Sequence, residues 1–531
     1  MKKRTGPKRK RVSHIRLYIF GILFLLQLLA ITGFIYLLVL YESFRAYSYI
    51  PIVVIYVIDL VVCLFLVNSR TQNDFKNTWL FTIVALPIVG IILYILFANK
   101  MTTKRMRVKR NDKMNNRLAI TRIDSTKELK KLAVIDRELA PIANYLDKNC
   151  IASLYENTET IYYPYGQDGY PHILEELQKA KRFIFVESFI IEDGYMFYNI
   201  YLILREKVKQ GVDVRIIYDD FGSVKKMTYR FVKDAAKDGI KCFAFNVIRP
   251  FVDVRQNSRD HRKIIVIDGV TGFAGGCNLA DEYINRVERF GDWKDNFIML
   301  KGEGVNGLTS LFLSTWDAQF RNKKNINKEN VMDYSFIKNK ELCDRNIKPD
   351  GFVQPFGEIP FDGEDGAKNV YLSMILKAKK YVYLSTPYLM PDSELLEALN
   401  IAAKSGIDVR IVTPGIPDKK FVYSVTKAYY SRLLASGVKI YEYTPGFNHA
   451  KMMVVDDVVA TVGTINFDFR SMYLHFEDAI ELYYTKSVLE VKKDMDYIIK
   501  KSKIVKAEVY LNKPVIVRIY WSIIRLFAPL L

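Results

Sequence analysis

Two copies of one spaced motif, H-x-K-x-x-x-x-D, limit what this 531-residue chain can fold into. The first comprises His261, Lys263 and Asp268, and the second His449, Lys451 and Asp456. Seventeen residues after each histidine stands an asparagine in a glycine-bearing box, Gly275-Gly276-Cys277-Asn278 and Gly463-Thr464-Ile465-Asn466. A longer duplication carries both copies. Ala180-Lys181-Arg182-Phe183 returns as Ala378-Lys379-Lys380-Tyr381, and Gly211-Val212-Asp213-Val214-Arg215 as Gly406-Ile407-Asp408-Val409-Arg410. A period of roughly 190–200 residues is too long for a solenoid. It predicts two α/β units packed side by side about a pseudo-two-fold axis.

The spacing has a chemical logic. His261 to Ile267 reads as a β-strand, so residues i and i+2 project from one face. Each half then offers an imidazole, an ammonium and an amide (Asn278 or Asn466) to one spot. Two such halves suit phosphoryl transfer without a metal or other cofactor, because lysines and amides stabilise charge on the non-bridging oxygens. One imidazole attacks phosphorus while the other handles the proton of the leaving alkoxide. A nucleophilic imidazole also needs its second nitrogen held by an acceptor. The downstream acids Asp292 or Asp295 and Glu477 are the candidates, each for the histidine of its own half or the facing one. Asp268 and Asp456 complete the motif and are carried with it as candidate catalytic residues. Their places before Gly269 and Asp457, at expected hairpin turns, favour a structural role. His14, His172 and His475 lack patterned companions and receive no function. The five cysteines lie far apart, without zinc-ligand spacing.

The remaining chain points to a membrane. Residues 1–12 hold seven basic residues and no acid, and residues 100–117 hold eight and one acid, together fourteen of the net +20. These basic segments bracket three apolar stretches, Leu17–Tyr41, Tyr47–Ser69 (interrupted by Asp59) and Trp79–Ala98 (containing Pro87 and Gly90). Charge placed so resembles juxtamembrane segments near anionic lipid rather than a nucleic-acid-binding face. Both basic flanks on the cytoplasmic side require an even number of crossings, whereas the stretches number three. The expected organisation is a membrane-anchoring region over 1–100, a basic juxtamembrane linker over 101–150, α/β domains over 151–330 and 331–513, and a C-terminal amphipathic segment over 514–531. The stretch from about Gly302 to Gly366 reads as the connection between the two domains.

The doubled motif with its glycine–asparagine boxes resembles the phospholipase D superfamily. A closer resemblance is to two-motif bacterial cardiolipin synthases. It is carried by Glu187-Ser188-Phe189-Ile190, Asp219-Asp220-Phe221-Gly222-Ser223, Tyr443-Thr444-Pro445-Gly446-Phe447, Asn466-Phe467-Asp468-Phe469-Arg470-Ser471 and Ala528-Pro529-Leu530-Leu531, and by Trp79 and Pro87 to Tyr94 in the apolar region. The resemblance implies two phospholipase-D-like α/β/α domains after a transmembrane helical region, located in the cell membrane with a cytoplasmic catalytic region. It implies that two phosphatidylglycerol molecules become cardiolipin and glycerol through a phosphatidyl-histidine intermediate, with no metal or nucleotide. It makes His261 the nucleophile and His449 the acid/base, and makes Asn278, Thr464 and Asn466 phosphate ligands. Asp295 and Glu477 are the expected histidine-orienting acids. Gly276 departs from the pattern, since many relatives place a hydroxyl residue there. Two other readings are a nuclease of the same superfamily and a non-catalytic scaffold bound to anionic lipid.

Overall fold

The computed structural model describes scattered residues between 25 and 47, and then residues 49–69, 71–98, 114–248, 258–319, 347–360 and 362–531. The stretch Leu17–Tyr41 and both basic segments fall mostly outside these residues. Tyr49–Val67 forms α1, the single described helix long and apolar enough to cross a membrane. The third apolar stretch is not one span. It lies in two short helices, α2 (Asn73–Ala85) and α3 (Val89–Phe97), broken at Leu86-Pro87-Ile88. Ile88 adopts φ 66°, and Gly90 packs so tightly on α2 that a Cβ there would lie 2.5 Å from the Thr82 carbonyl oxygen. At ~1.5 Å per residue, neither helix reaches the ~30 Å of a bilayer core. Trp79, Ile83, Val89 and Leu93 close the hairpin against Leu66 of α1. Asp59 is buried where α1 meets this bend.

The soluble region contains two sheets of the same design. The first orders its strands β1 (Thr158–Tyr163), β8 (Phe297–Gly302), β6 (Thr271–Gly275), β5 (Lys263–Ile267), β2 (Phe183–Ser188), β3 (Asp213–Asp219) and β4 (Lys241–Phe245). The second repeats that path as β9 (Phe352–Glu358), β16 (Glu477–Tyr483), β15 (Val459–Gly463), β14 (Met452–Val455), β10 (Tyr381–Ser385), β11 (Asp408–Pro414) and β12 (Lys439–Tyr443), with β17 (Ser502–Ile504) added at the edge. In each, β2–β3–β4 or β10–β11–β12 run parallel with helices crossing between them, as parallel neighbours in one sheet require. The expected α/β class and its internal duplication are present.

Between the sheets lie α4 (Val305–Ala318) and α5 (Lys486–Lys500), within one shared core that includes Phe185, Phe312, Val454 and Ile480. Phe185 and Phe312 stack at 4.5 Å. The region expected to be a bare connection thus begins with a helix that is buried on nearly every side. The linker expected over 101–150 also contains structure. Helices Thr126–Ile135 and Ala140–Asn149 insert Leu132, Ile142 and Leu146 into the core of the second half. At the C-terminus, α6 (Val515–Leu526) buries Trp521 and Ile524 against that half while Ile516, Ile519 and Ile523 stay exposed.

Candidate active site

The two histidine segments lie where the halves meet, and each is pinned by the other half. The His261 N–H donates to the Phe476 carbonyl at 2.8 Å, and the His449 N–H donates to the Lys294 carbonyl at 2.7 Å. A short parallel pair, β7 (Asp292–Lys294) with β13 (Gly446–Asn448), stitches the same seam. Buried Lys294 pairs with Asp494 at 2.8 Å, which also accepts from the Tyr162 hydroxyl. A buried pair with such additional hydrogen bonds would be costly to break from one side.

The acids cross over. His261 Nδ1 lies 2.8 Å from Glu477 Oε2, and His449 Nδ1 lies 2.6 Å from Asp295 Oδ2. Each histidine is therefore oriented by the facing half. Glu477 is itself held by the Thr464 hydroxyl. Lys263 Nζ donates to the carbonyl of His261 at 2.6 Å, and Lys451 Nζ does the same to His449. All these groups are buried. Burial, opposed by Glu477 and reinforced by Lys263, drives His261 down to about 3. Burial, Lys451 and Lys263 carry His449 down to about 4 against the pull of Asp295. Burial lowers both lysines, Lys451 to about 7. Burial alone would raise Glu477, but His261 and His475 outweigh it and keep it an anion. Both imidazoles are thus neutral, and an Nδ1–H given to carboxylate leaves the Nε2 lone pair available to attack.

The other expected site residues divide. Asn466 has no side-chain hydrogen bond among the described residues and is available to a ligand. Asn278 is committed, its Oδ1 accepting from Ile190 N–H at 2.9 Å and its amide donating to the Tyr283 hydroxyl at 2.6 Å. The Thr464 hydroxyl is used on Glu477. Opposite it, Gly276 has no room for a side chain, because a Cβ would lie 1.9 Å from Asp295 Oδ1. Asp292 accepts from Tyr165 and Tyr443 and orients neither histidine.

Asp268 and Asp456 are not brought to this spot, which corrects their inclusion among the catalytic candidates. They sit at the far ends of β5 and β14, about 20 Å along the strand from their histidines. With φ of 55° and 54°, each turns a hairpin. Asp268 accepts the N–H groups of Lys181, Arg182 and Phe183 at 2.7–2.9 Å. Asp456 accepts those of Lys379, Lys380 and Tyr381 at 2.6–2.9 Å. The repeated Ala-Lys segments are thus the partners of the repeated aspartates.

Two features escaped the sequence reading. Glu187, near the end of β2, lies beside Asp260 and Arg262, and burial then Asp260 push its carboxyl well up. His475, set aside for want of a pattern, lies with its ring centroid 5.7 Å from that of His261. Its signal was its position two residues before Glu477, which places both on one side of an extended segment.

Known proteins agree with this architecture. The profile of the cardiolipin synthase PLD-like domain matches residues 173–289 and 371–499, and a phospholipase D-nuclease N-terminal profile matches 53–99. A cardiolipin synthase of Alkalihalophilus pseudofirmus is 36% identical over 86% of this chain and 88% of its own length. One from Halalkalibacterium halodurans is 34% identical over 90% and 93%. An uncharacterised Streptococcus mutans protein is 40% identical over 88% and 99%. The crystal structure of phosphatidylserine synthase from Haemophilus influenzae superposes with a TM-score of 0.53 at 16% identity, covering 74% of this chain and 98% of that one, a likeness of fold. With two crossed histidine–acid pairs on duplicated sheets, and relatives aligned along most of its length, the chain belongs to the cardiolipin synthase family of phospholipase-D-like phosphatidyltransferases.

Proposed function

We propose that the protein joins two phosphatidylglycerol molecules into cardiolipin and glycerol. The observation that carries the reading is the pair of neutral imidazoles, each with Nδ1 held by an acid from the other half. His261 Nε2 attacks phosphorus, a P–N bond forms, and the bond to the departing glycerol oxygen breaks. His449, carrying a proton favoured by the bound phosphodiester's negative charge, gives it to that oxygen. It then takes the proton of the second phosphatidylglycerol's hydroxyl, which attacks phosphorus and releases His261. Lys263, Lys451 and Asn466 stabilise the non-bridging oxygens, and the phosphate in turn restores charge to the buried lysines.

The apolar region fits a membrane enzyme. Helix α1 supplies one crossing, the apolar sequence Leu17–Tyr41 is long enough for a second, and placing the α2–α3 hairpin at the interface would meet the even count that two cytoplasmic basic flanks demand. Anchorage at the headgroup plane keeps the site beside a substrate that hardly leaves the bilayer. Purified protein with headgroup-labelled phosphatidylglycerol in mixed micelles should release glycerol and form cardiolipin in equal amounts. Phosphatidic acid as the only lipid product would overturn the transferase reading in favour of hydrolysis.

A further inference from the structure

The two histidine–acid pairs are not equivalent. Two residues before Asp295 stands Trp293, whose ring centroid lies 5.7 Å from His449. Two residues before Glu477 stands His475, at the corresponding place against His261. Both ring nitrogens of His475 are buried without a hydrogen-bond partner among the described residues, and so is Glu477 Oε1. His475 Nδ1 and Glu477 Oε1 face one another at 3.6 Å, too far for a hydrogen bond. Donor atoms of His261, His475 and Glu477 all lie within 4.8 Å of one another.

We propose that His261, His475 and Glu477 form a binding site for a borderline divalent cation such as Zn²⁺, and that the ion inhibits the enzyme. Two imidazoles and a carboxylate are a common ligand set for zinc, with metal–ligand bonds of about 2.0–2.2 Å. Tetrahedral geometry sets such ligands about 3.3–3.5 Å apart, close to the gap between His475 and Glu477. Water, or a phosphate oxygen of substrate, would take the fourth position. Coordination uses lone pairs of neutral imidazoles and changes no oxidation state. The inhibition rests on His261 as a reacting imidazole, as proposed above, but binding does not. If the ion takes His261 Nε2, the attacking lone pair is consumed. If it takes Nδ1, the ring proton moves to Nε2 with the same effect. Lys263 opposes the ion's charge, so affinity should lie near micromolar rather than at the strength of a structural zinc site.

The test uses untagged full-length protein in detergent, stripped with chelator. Titration with Co²⁺ should give ligand-field bands of a four- or five-coordinate ion, and Zn²⁺ should abolish them. Micromolar Zn²⁺ should inhibit phosphatidyl transfer reversibly. His475→Asn and His475→Gln should lose the Co²⁺ bands and, relative to each variant's own uninhibited rate, raise the half-inhibiting Zn²⁺ concentration by about tenfold or more. In the wild type, Zn²⁺ should shield His261 and His475 together from diethylpyrocarbonate, read by mass spectrometry, so the question does not depend on the variants folding. Absence of Co²⁺ bands in the wild type, equal Zn²⁺ sensitivity of the variants, or no shielding would each overturn the proposal. Bands without any transferase activity would instead keep the site and remove the reaction assigned to it.

Discussion

Gly276 shows how a single position depends on what crosses from elsewhere. By pattern it looks like a lost hydroxyl ligand for phosphate, with Thr464 as the retained one. The structure gives a different reason for both. The Asp295 carboxylate occupies the space that a Cβ would need, and Thr464 spends its hydroxyl on Glu477. Any side chain at 276 must therefore displace the acid that orients His449. Gly276→Ala and Gly276→Ser should both lower kcat about 10²-fold or more, the cost of shifting a catalytic group by about an ångström. Initial rates decide the matter. If serine equals or exceeds the wild type while alanine fails, the hydroxyl is a phosphate ligand and the steric account is wrong.

Strands and helices differ in how plainly the sequence announced them. The strand of each motif was legible because its apolar run ends in a turn-forming aspartate, and because the run occurs twice. Helix α4 was not. Its Thr309, Ser310 and Ser314 look like a polar face, yet their hydroxyls return to the carbonyls of Val305, Asn306 and Leu311 and leave the helix free to be buried all round. The crossed acids were also out of reach, since separation along the chain does not say which half an acid faces. A similar limit applies to Glu481 on β16, which reads as an ordinary strand residue but is buried, with the Thr461 hydroxyl as its partner. Burial lifts its carboxyl to about 8. The protonated form is therefore native, and its stability is fully present below the unfolded value near 4.5. It is lost as pH rises through about 8, at up to about 1.4 kcal/mol per pH unit. Glu481→Gln should match the wild type in thermal midpoint at pH 5 and exceed it at pH 8. An equal difference at both pH values would show that Glu481 does not take up a proton on folding.

Across the whole molecule, the α2–α3 hairpin and the two-sheet body are tied together. From α2, Asp74 accepts the N–H and hydroxyl of Ser393, and the Thr78 hydroxyl donates to the Leu526 carbonyl of α6. Phe75 sets its ring edge-on, at 5.8 Å, to both Phe469 and Tyr473. Those two rings lie in the segment between Asn466 and His475, so the contact ties the hairpin to the wall of the site. On α6, the helix that accepts the Thr78 contact, Ile516, Ile519 and Ile523 are exposed. On the membrane reading proposed above, this arrangement would set the height of the site above the bilayer, which matters only when the substrate is itself in a bilayer. Phe75→Ala should therefore raise the apparent KM for long-chain phosphatidylglycerol in vesicles several-fold. It should leave kcat/KM for a short-chain, monomerically dissolved analogue within about twofold of the wild type. Equal losses on both substrates would mean that Phe75 supports the folded site itself, and that the hairpin does not hold the body in register with the membrane.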